Sequence, residues 1–254
     1  MNEKANPTAA ILLIGDEILS GRTKDKNLGY LADWLTALGI DLKEARVVSD
    51  DAQAIISAVN ELRGRWSYVF STGGIGPTHD DITADCMAEA FGVAISHNSE
   101  AIEILKAYYA AEPSKLNEAR LRMARIPEGA SLIANPVSGA PGFQIGNVFV
   151  MAGVPKIMQG MLADIEPRLS SGAKMLSATV TAHVGEGDVS KPLREIQARY
   201  EDVTMGSYPF EKDGGYGTNL VLRSRDAARL SSAEAEVSEM VKGLQATTTM
   251  KGWE

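Results

Sequence analysis

Residues 68–85, YVFSTGGIGPTHDDITAD, constrain the fold of this chain more than any other stretch. A short apolar run enters a glycine cluster and leaves it into a helical pattern, which reads as strand, sharp turn, helix. Residues 68–71 predict a buried strand ending at Thr72. Gly73, Gly74 and Gly76 let the backbone turn, Pro77 fixes the exit, and Asp80, Asp81 and Thr83 stand where a helix begins. Upstream, AAILLI at residues 9–14 is continuously apolar, as expected of a strand covered on both faces. Leu28, Leu31, Leu35 and Leu38 recur at helical spacing, with Gly39 as the stop. Residues 40–48 form a second strand, and Ala54, Ile55, Ala58, Val59 and Leu62 a second helix ending at Gly64. Strand, helix, strand, helix, strand implies parallel pairing. Gly146-Asn147, between Gln144-Ile145 and residues 148–151, predicts a hairpin and an antiparallel edge. The expected class is α/β with three layers and a mostly parallel sheet.

After about residue 170 the pattern changes. Ser170, Ser171 and Gly172 read as a linker, followed by a strand at 176–184, a helix at 193–200, strands at 203–210 and 218–224, and a helix at 228–244. The turn-rich EKDGGYG of residues 211–217 joins the two later strands. The division is thus residues 1–170 and a small α+β module at 171–254. A chain of 254 residues buries roughly 70% of its unfolded surface, so its core needs no disulfide. Cys86 is the one cysteine, which excludes Cys/His zinc motifs and fits a reducing compartment. With 25 basic and 33 acidic residues the net charge is −8, which argues against a general nucleic-acid or anionic-membrane surface. No apolar run approaches the ~20 residues of a membrane span, and residues 1–8 lack a signal-peptide core, so a cytoplasmic protein is expected.

In an open α/β sheet, ligands collect beyond the carboxyl ends of the strands. Glycine-loop N–H groups and a helix N-terminus there attract phosphate, and a nearby acid suits Mg²⁺ held by one or two carboxylates plus the substrate's phosphates. Alternatively, the stretch is a tight turn with Asp81 or Thr83 as helix cap. It is neither a Rossmann fingerprint nor a P-loop. The first strand ends in Gly15, Asp16 and Glu17, followed by Ser20 and Gly21, with Asp25 or Asn27 able to cap the next helix. After the second strand, Asp51 is a plausible cap and Asp50 has no evident structural task. Acids therefore stand at three strand ends. His79, His97 and His183 form no cluster, and Cys86 falls on an apolar helix face. A Gly-x-x-Gly between helices and a basic aromatic face are both lacking, so no RNA binding is expected.

The motifs GDEILSG (15–21), Asp25-x-Asn27, VVSDD (47–51), TGGIGPTHDD (72–81), NPVSGAPGF (135–143) and AGVPKIM (152–158) resemble the MoaB/Mog molybdopterin-binding domain family. Within it, the chain is most similar to the N-terminal half of CinA-type proteins, and it is similar to the corresponding domain of eukaryotic FAD synthase. HVGEGD (183–188), GSYPF (206–210) and GTNLVLRSRD (217–226) resemble the small KH-like module that follows in CinA-type proteins. CinA-type proteins continue into an amidase domain, which a chain ending at Glu254 is expected to lack.

The resemblance implies a three-layer MoaB/Mog-like fold and a site for molybdopterin or an adenine nucleotide. CinA-type domains hydrolyse the pyrophosphate of ADP-ribose or FAD with a divalent metal, here Mg²⁺, Mn²⁺ or Co²⁺. Mog-type proteins adenylylate molybdopterin with Mg²⁺-ATP, and a non-catalytic pterin-binding module is a further alternative. By the same resemblance, Asp50 and Asp81, with Asp80 as neighbour, would hold the metal or position the nucleophile. Thr72, Gly73, Gly74, Gly76, Pro77 and Thr78 would cradle phosphate, and Gly15, Asp16, Glu17, Ser20, Gly21 and Asn27 would line the opposite wall. Asn135, Pro136, Gly142, Gly153 and Pro155 would complete the pocket. Lys156 either meets a terminal phosphate or is solvated; CinA relatives usually carry an acid near that position. A homo-oligomer, dimer or trimer, is implied as well.

Overall fold

The computed structural model describes residues 6–212 and 215–250. It divides into two compact units, Met1–Gly172 and Ala173–Glu254. The first unit runs β1 (Thr8–Ile14), α1 (Asp16–Leu19), α2 (Asn27–Ala37), β2 (Asp41–Val48), α3 (Ala52–Arg65), β3 (Tyr68–Thr72) and α4 (Thr83–Phe91). It continues with β4 (Ile95–His97), α5 (Ser99–Tyr108), α6 (Glu118–Leu121), β5 (Arg125–Pro127), β6 (Ser131–Ile133), β7 (Gly142–Ile145), β8 (Val148–Met151) and α7 (Pro155–Ile165). The main sheet has the order β2-β1-β3-β8-β7-β6. Its first four strands are parallel; β7 runs antiparallel to β8, and β6 antiparallel to β7.

Alternation along β1 builds the three layers. Ala10, Leu12 and Ile14 join one core with Ile55, Val59 and Leu62 of α3 and with Cys86 and Met87 of α4. Ala9, Ile11 and Leu13 face the other core, against Leu31 and Leu35 of α2 and Met158, Met161 and Leu162 of α7. Phe70 and Phe149 stack at 5.2 Å in that second core. A strand covered on both faces has no polar side to show, which is why β1 reads as a continuous apolar run. The Gly146-Asn147 hairpin forms between β7 and β8. It is not the sheet edge, however: β6 pairs outside β7.

The second unit holds β9 (Leu176–Ala182), α8 (Glu186–Gln197), β10 (Thr204–Lys212), β11 (Gly215–Ser224) and α9 (Ala227–Met250). Its antiparallel sheet has the order β10-β11-β9. Leu193, Ile196, Leu220, Leu222, Ala233 and Val237 form a core of their own. Two sequence expectations change here. Helix α8 begins at Glu186 rather than residue 193 and carries Pro192 inside it, with Glu186 and Asp188 in the first turn, where the helix dipole favours acids. The segment 211–217 is largely strand, and its tip, Asp213-Gly214, lies outside the described residues. Among the described residues, no helix is long and apolar enough to cross a membrane.

Candidate functional site

Because β1, β2, β3 and β8 are parallel, their carboxyl ends share one edge of the sheet. The loop after β6 opens at the same edge, since β7 runs opposite to β8. Backbone contacts then knit the strand ends together. The Gly15 N–H donates to the Val48 carbonyl at 3.1 Å, and the Gly73 N–H to the Met151 carbonyl at 3.2 Å. Gly73 has φ 106°, and a Cβ there would lie 2.1 Å from the Ile14 carbonyl oxygen, so only glycine lets β1 and β3 end this close. Gly74, with φ 66°, faces the Thr83 hydroxyl, which donates to the Gly73 carbonyl at 3.0 Å. Gly153 approaches from β8, 3.2 Å from the Gly73 Cα to its own ideal Cβ position.

Asp50 is the acid most changed by this assembly. Its Oδ2 accepts the Asp16 N–H at 2.9 Å. Partial burial raises its carboxyl above the ordinary aspartate range; the Asp16 N–H opposes this, and the charges of Asp16, Glu17 and Asp80 add to it. Acids from two other strand ends therefore act on this carboxylate. Asp81, one of the two candidate caps of α4, does not cap it. It accepts from the Thr78 N–H at 2.8 Å and from the Thr78 hydroxyl at 2.6 Å, closing its own loop. The cap position of α4 is Ile82, which makes no side-chain cap, and the hydroxyl of Thr83 is spent on Gly73.

At the start of α2, Asp25 takes the N–H groups of Asn27 and Leu28 at 3.2 and 2.9 Å. Asn27 is therefore no cap. It is 3% exposed, its Nδ2 donates to the Gly153 carbonyl at 2.8 Å, and its Oδ1 is buried without a protein partner. Asp51 does cap α3, through the Ala54 N–H at 2.9 Å.

Two residues of the resemblance are placed differently from its implication. Asn135 is buried, and its amide is used up on the N–H groups of Val137 and Ser138, the Ser138 hydroxyl and the Ala140 carbonyl. It shapes the loop rather than facing a ligand. Gly142 lies buried in the sheet, where a Cβ would meet the Val150 carbonyl at 2.3 Å, so it permits strand contact and forms no pocket wall. Thr72 is buried, Pro77 half-buried, and Thr78, Asp80 and His79 are exposed. Ser20 and Gly21 form an exposed turn after α1. Pro136, Gly153 and Lys156 are exposed, and Pro155 opens α7. Lys156 stands at the strand-end edge without an ion pair among the described residues. Cys86 is buried, and burial pushes its thiol up to about 11. No group of three or more His, Cys, Asp or Glu among the described residues is arranged to hold a metal. Sequence reasoning missed Arg122 and Arg125, which line a cavity behind the glycine loop. The run 118–125 carries no motif, and only the packing of β5 against α4 brings it there.

Residues 10–171 match the family described as "Probable molybdopterin binding domain", and residues 174–248 match "FAD synthase, middle domain". A "Probable FAD synthase" of Caenorhabditis elegans is 31% identical over 264 residues, covering 93% of this chain and 50% of the relative. A "CinA-like protein" of Citrifermentans bemidjiense is 41% identical over 159 residues, 61% of this chain and 38% of the relative. The chain thus spans half or less of these two relatives. A crystal structure of CinA from Thermoplasma acidophilum, described as of unknown function, superposes with a TM-score of 0.59 at 34% identity. It covers 63% of this chain and 98% of its own. With its fold, its strand-end motifs and these matches in agreement, the chain belongs to the MoaB/Mog molybdopterin-binding domain family in its CinA-type form, joined to a module of the FAD synthase middle-domain type.

Proposed function

We propose that the chain is a divalent-metal-dependent pyrophosphatase acting on an adenine dinucleotide such as ADP-ribose or FAD. The observation that carries this reading is Asp50: a half-buried carboxylate, pressed by the charges of Asp16, Glu17 and Asp80, at the edge where the glycine loop presents its N–H groups. Like charges gathered this way favour a cation between them. The protein carboxylates are too few to enclose one, which suits an ion whose shell is completed by phosphate oxygens. Asp50 and Asp80 would hold Mg²⁺, Mn²⁺ or Co²⁺ together with the phosphate oxygens; Thr78 engages only Oδ2 of Asp81. When bound, the metal would neutralise phosphoryl oxygens and acidify a water. The chain's own part is positional. The N–H groups of Gly74, Ile75 and Gly76 hold the phosphate, as preorganised donors that cost no rearrangement; those of Gly73 and Thr78 are spent on Met151 and Asp81, and Pro77 has none. The Asp16 N–H fixes the Asp50 carboxylate through Oδ2. Lys156, exposed at the first turn of α7, is available to a terminal phosphate.

The family description favours one second reading: adenylylation or simple binding of molybdopterin. AMP release from ADP-ribose and FAD, and from ATP with pterin, measured with each metal beside Asp50→Asn, separates the two. Dinucleotide turnover lost in Asp50→Asn supports the pyrophosphatase. Pterin binding without dinucleotide turnover supports the second reading, and undiminished turnover in the variant overturns the assigned site. A homo-oligomer belongs to the same proposal and is read from mass in solution.

A further inference from the structure

Behind the glycine loop lies a cavity of about 20 Å³, walled by apolar groups such as Ile75, Met123 and Phe143 as well as by polar ones, that this mechanism does not use. Gly74 and Gly76 of the loop, Asp81 and Asp85, and Arg122 and Arg125 line it. Its two arginines are partnered very differently. Arg125 meets both oxygens of Asp85, at 2.8 and 2.6 Å, in a bidentate pair that ties β5 to α4. The Arg122 side chain makes no ion pair and no hydrogen bond among the described residues, and its Nε is buried without a partner. Folded proteins leave few buried donors unpaired, and a guanidinium donor left so is especially costly. The neighbouring acids are committed elsewhere, Asp85 to Arg125 and Asp81 to Thr78. A space of about 20 Å³ holds one oxygen-sized group and not a ring.

We propose that Arg122 is an oxyanion-recognition residue: it receives one phosphoryl oxygen of the ligand through the cavity, while loop N–H groups hold the same phosphate from the other side. The Arg125–Asp85 pair is a positioning element that fixes the wall carrying Arg122. This assignment rests on the proposed function only for the phosphate-bearing class of its ligand, and it stands for a phosphate that is bound without being cleaved. The rival occupant is an ordered water.

The test is calorimetric titration of the full chain with inorganic pyrophosphate, without metal, for wild type, Arg122→Gln and Arg122→Lys. Loss of a charge-assisted bond predicts binding weaker by about tenfold to a hundredfold in Arg122→Gln, with Arg122→Lys between it and wild type. Unchanged affinity in Arg122→Gln overturns the proposal and leaves the cavity to water. Where Arg122→Gln does not fold, Arg122→Lys decides alone, wild-type affinity again overturning the proposal. Malonate in place of pyrophosphate distinguishes anion classes: an equal loss for malonate removes the phosphate assignment. Asp50→Asn separates this inference from the function, because it removes turnover while pyrophosphate still binds at least as tightly. Silence of every protein with dinucleotides, alongside pyrophosphate binding lost in Arg122→Gln, sinks the pyrophosphatase and keeps the arginine. Turnover lost in Asp50→Asn, with KM unmoved in Arg122→Gln, does the reverse.

Discussion

Asp50 binds its proton more tightly in the folded chain than an ordinary aspartate does, because it is partly buried beside Asp16, Glu17 and Asp80. A folded-state value above the unfolded one, which lies at about 3.9, means that stability falls as pH rises from that value to the raised one. Asp50→Asn is therefore expected to melt above wild type at pH 7, with the difference closing below about pH 3; melts across that range check it. The same variant is expected to lose about a hundredfold or more of metal-dependent turnover. Gly73→Ala acts through the backbone instead. With φ 106° and the Ile14 carbonyl in the way, it is expected to cost about 2–3 kcal/mol in a denaturant titration. Both residues were legible in the sequence, as an acid without a structural task and as a glycine after a buried strand. What Asp50 touches was not.

At the scale of elements, the loop at residues 134–141 illustrates how a motif can mislead. Asn135 stands in NPVSGAPGF, one of the motifs by which the sequence resembles the MoaB/Mog family, and its amide makes four bonds inside its own loop. Asn135→Ala is expected to lower stability by about 2 kcal/mol, seen as a lower denaturation midpoint with an unchanged slope. Asp51 needs only a local reading: it caps α3, and Asp51→Ala should cost about 1 kcal/mol by the same measurement. Long periodic elements were legible in the sequence, as with β1, α2 and α3. The short strands β4, β5 and β6 and the one-turn helix α6 were not, because they complete no hydrophobic period; the ten-residue helix α5 between them also went unread. Helix α8 starts seven residues before the expected residue 193 and carries Pro192 within it.

At the scale of the whole molecule, each unit has its own buried cluster, and the chain passes between them at 172–173. Lys174 is exposed in the segment before β9. Limited trypsin treatment is expected to cut there first, giving fragments 1–174 and 175–254 by mass spectrometry. The net charge of −8 works against any anionic ligand at long range, so phosphate must be held by local donors at close quarters. The sequence by itself determined that acids and glycines would share one edge of a parallel sheet. Alternating strands and helices dictate a common strand direction, and that is a local property. Only the tertiary structure decided which of those acids meet. Asp50 and Asp16 are 34 positions apart, Asn27 and Gly153 126, and Arg125 and Asp85 40. Their contacts follow from strand register and helix packing, including the register shift between Ala9 and Ala10. The same packing turned Asp81 into its loop and left Arg122 facing a cavity without a protein partner, because side-chain partnership across such distances depends on the assembled backbone and has no local period to announce it.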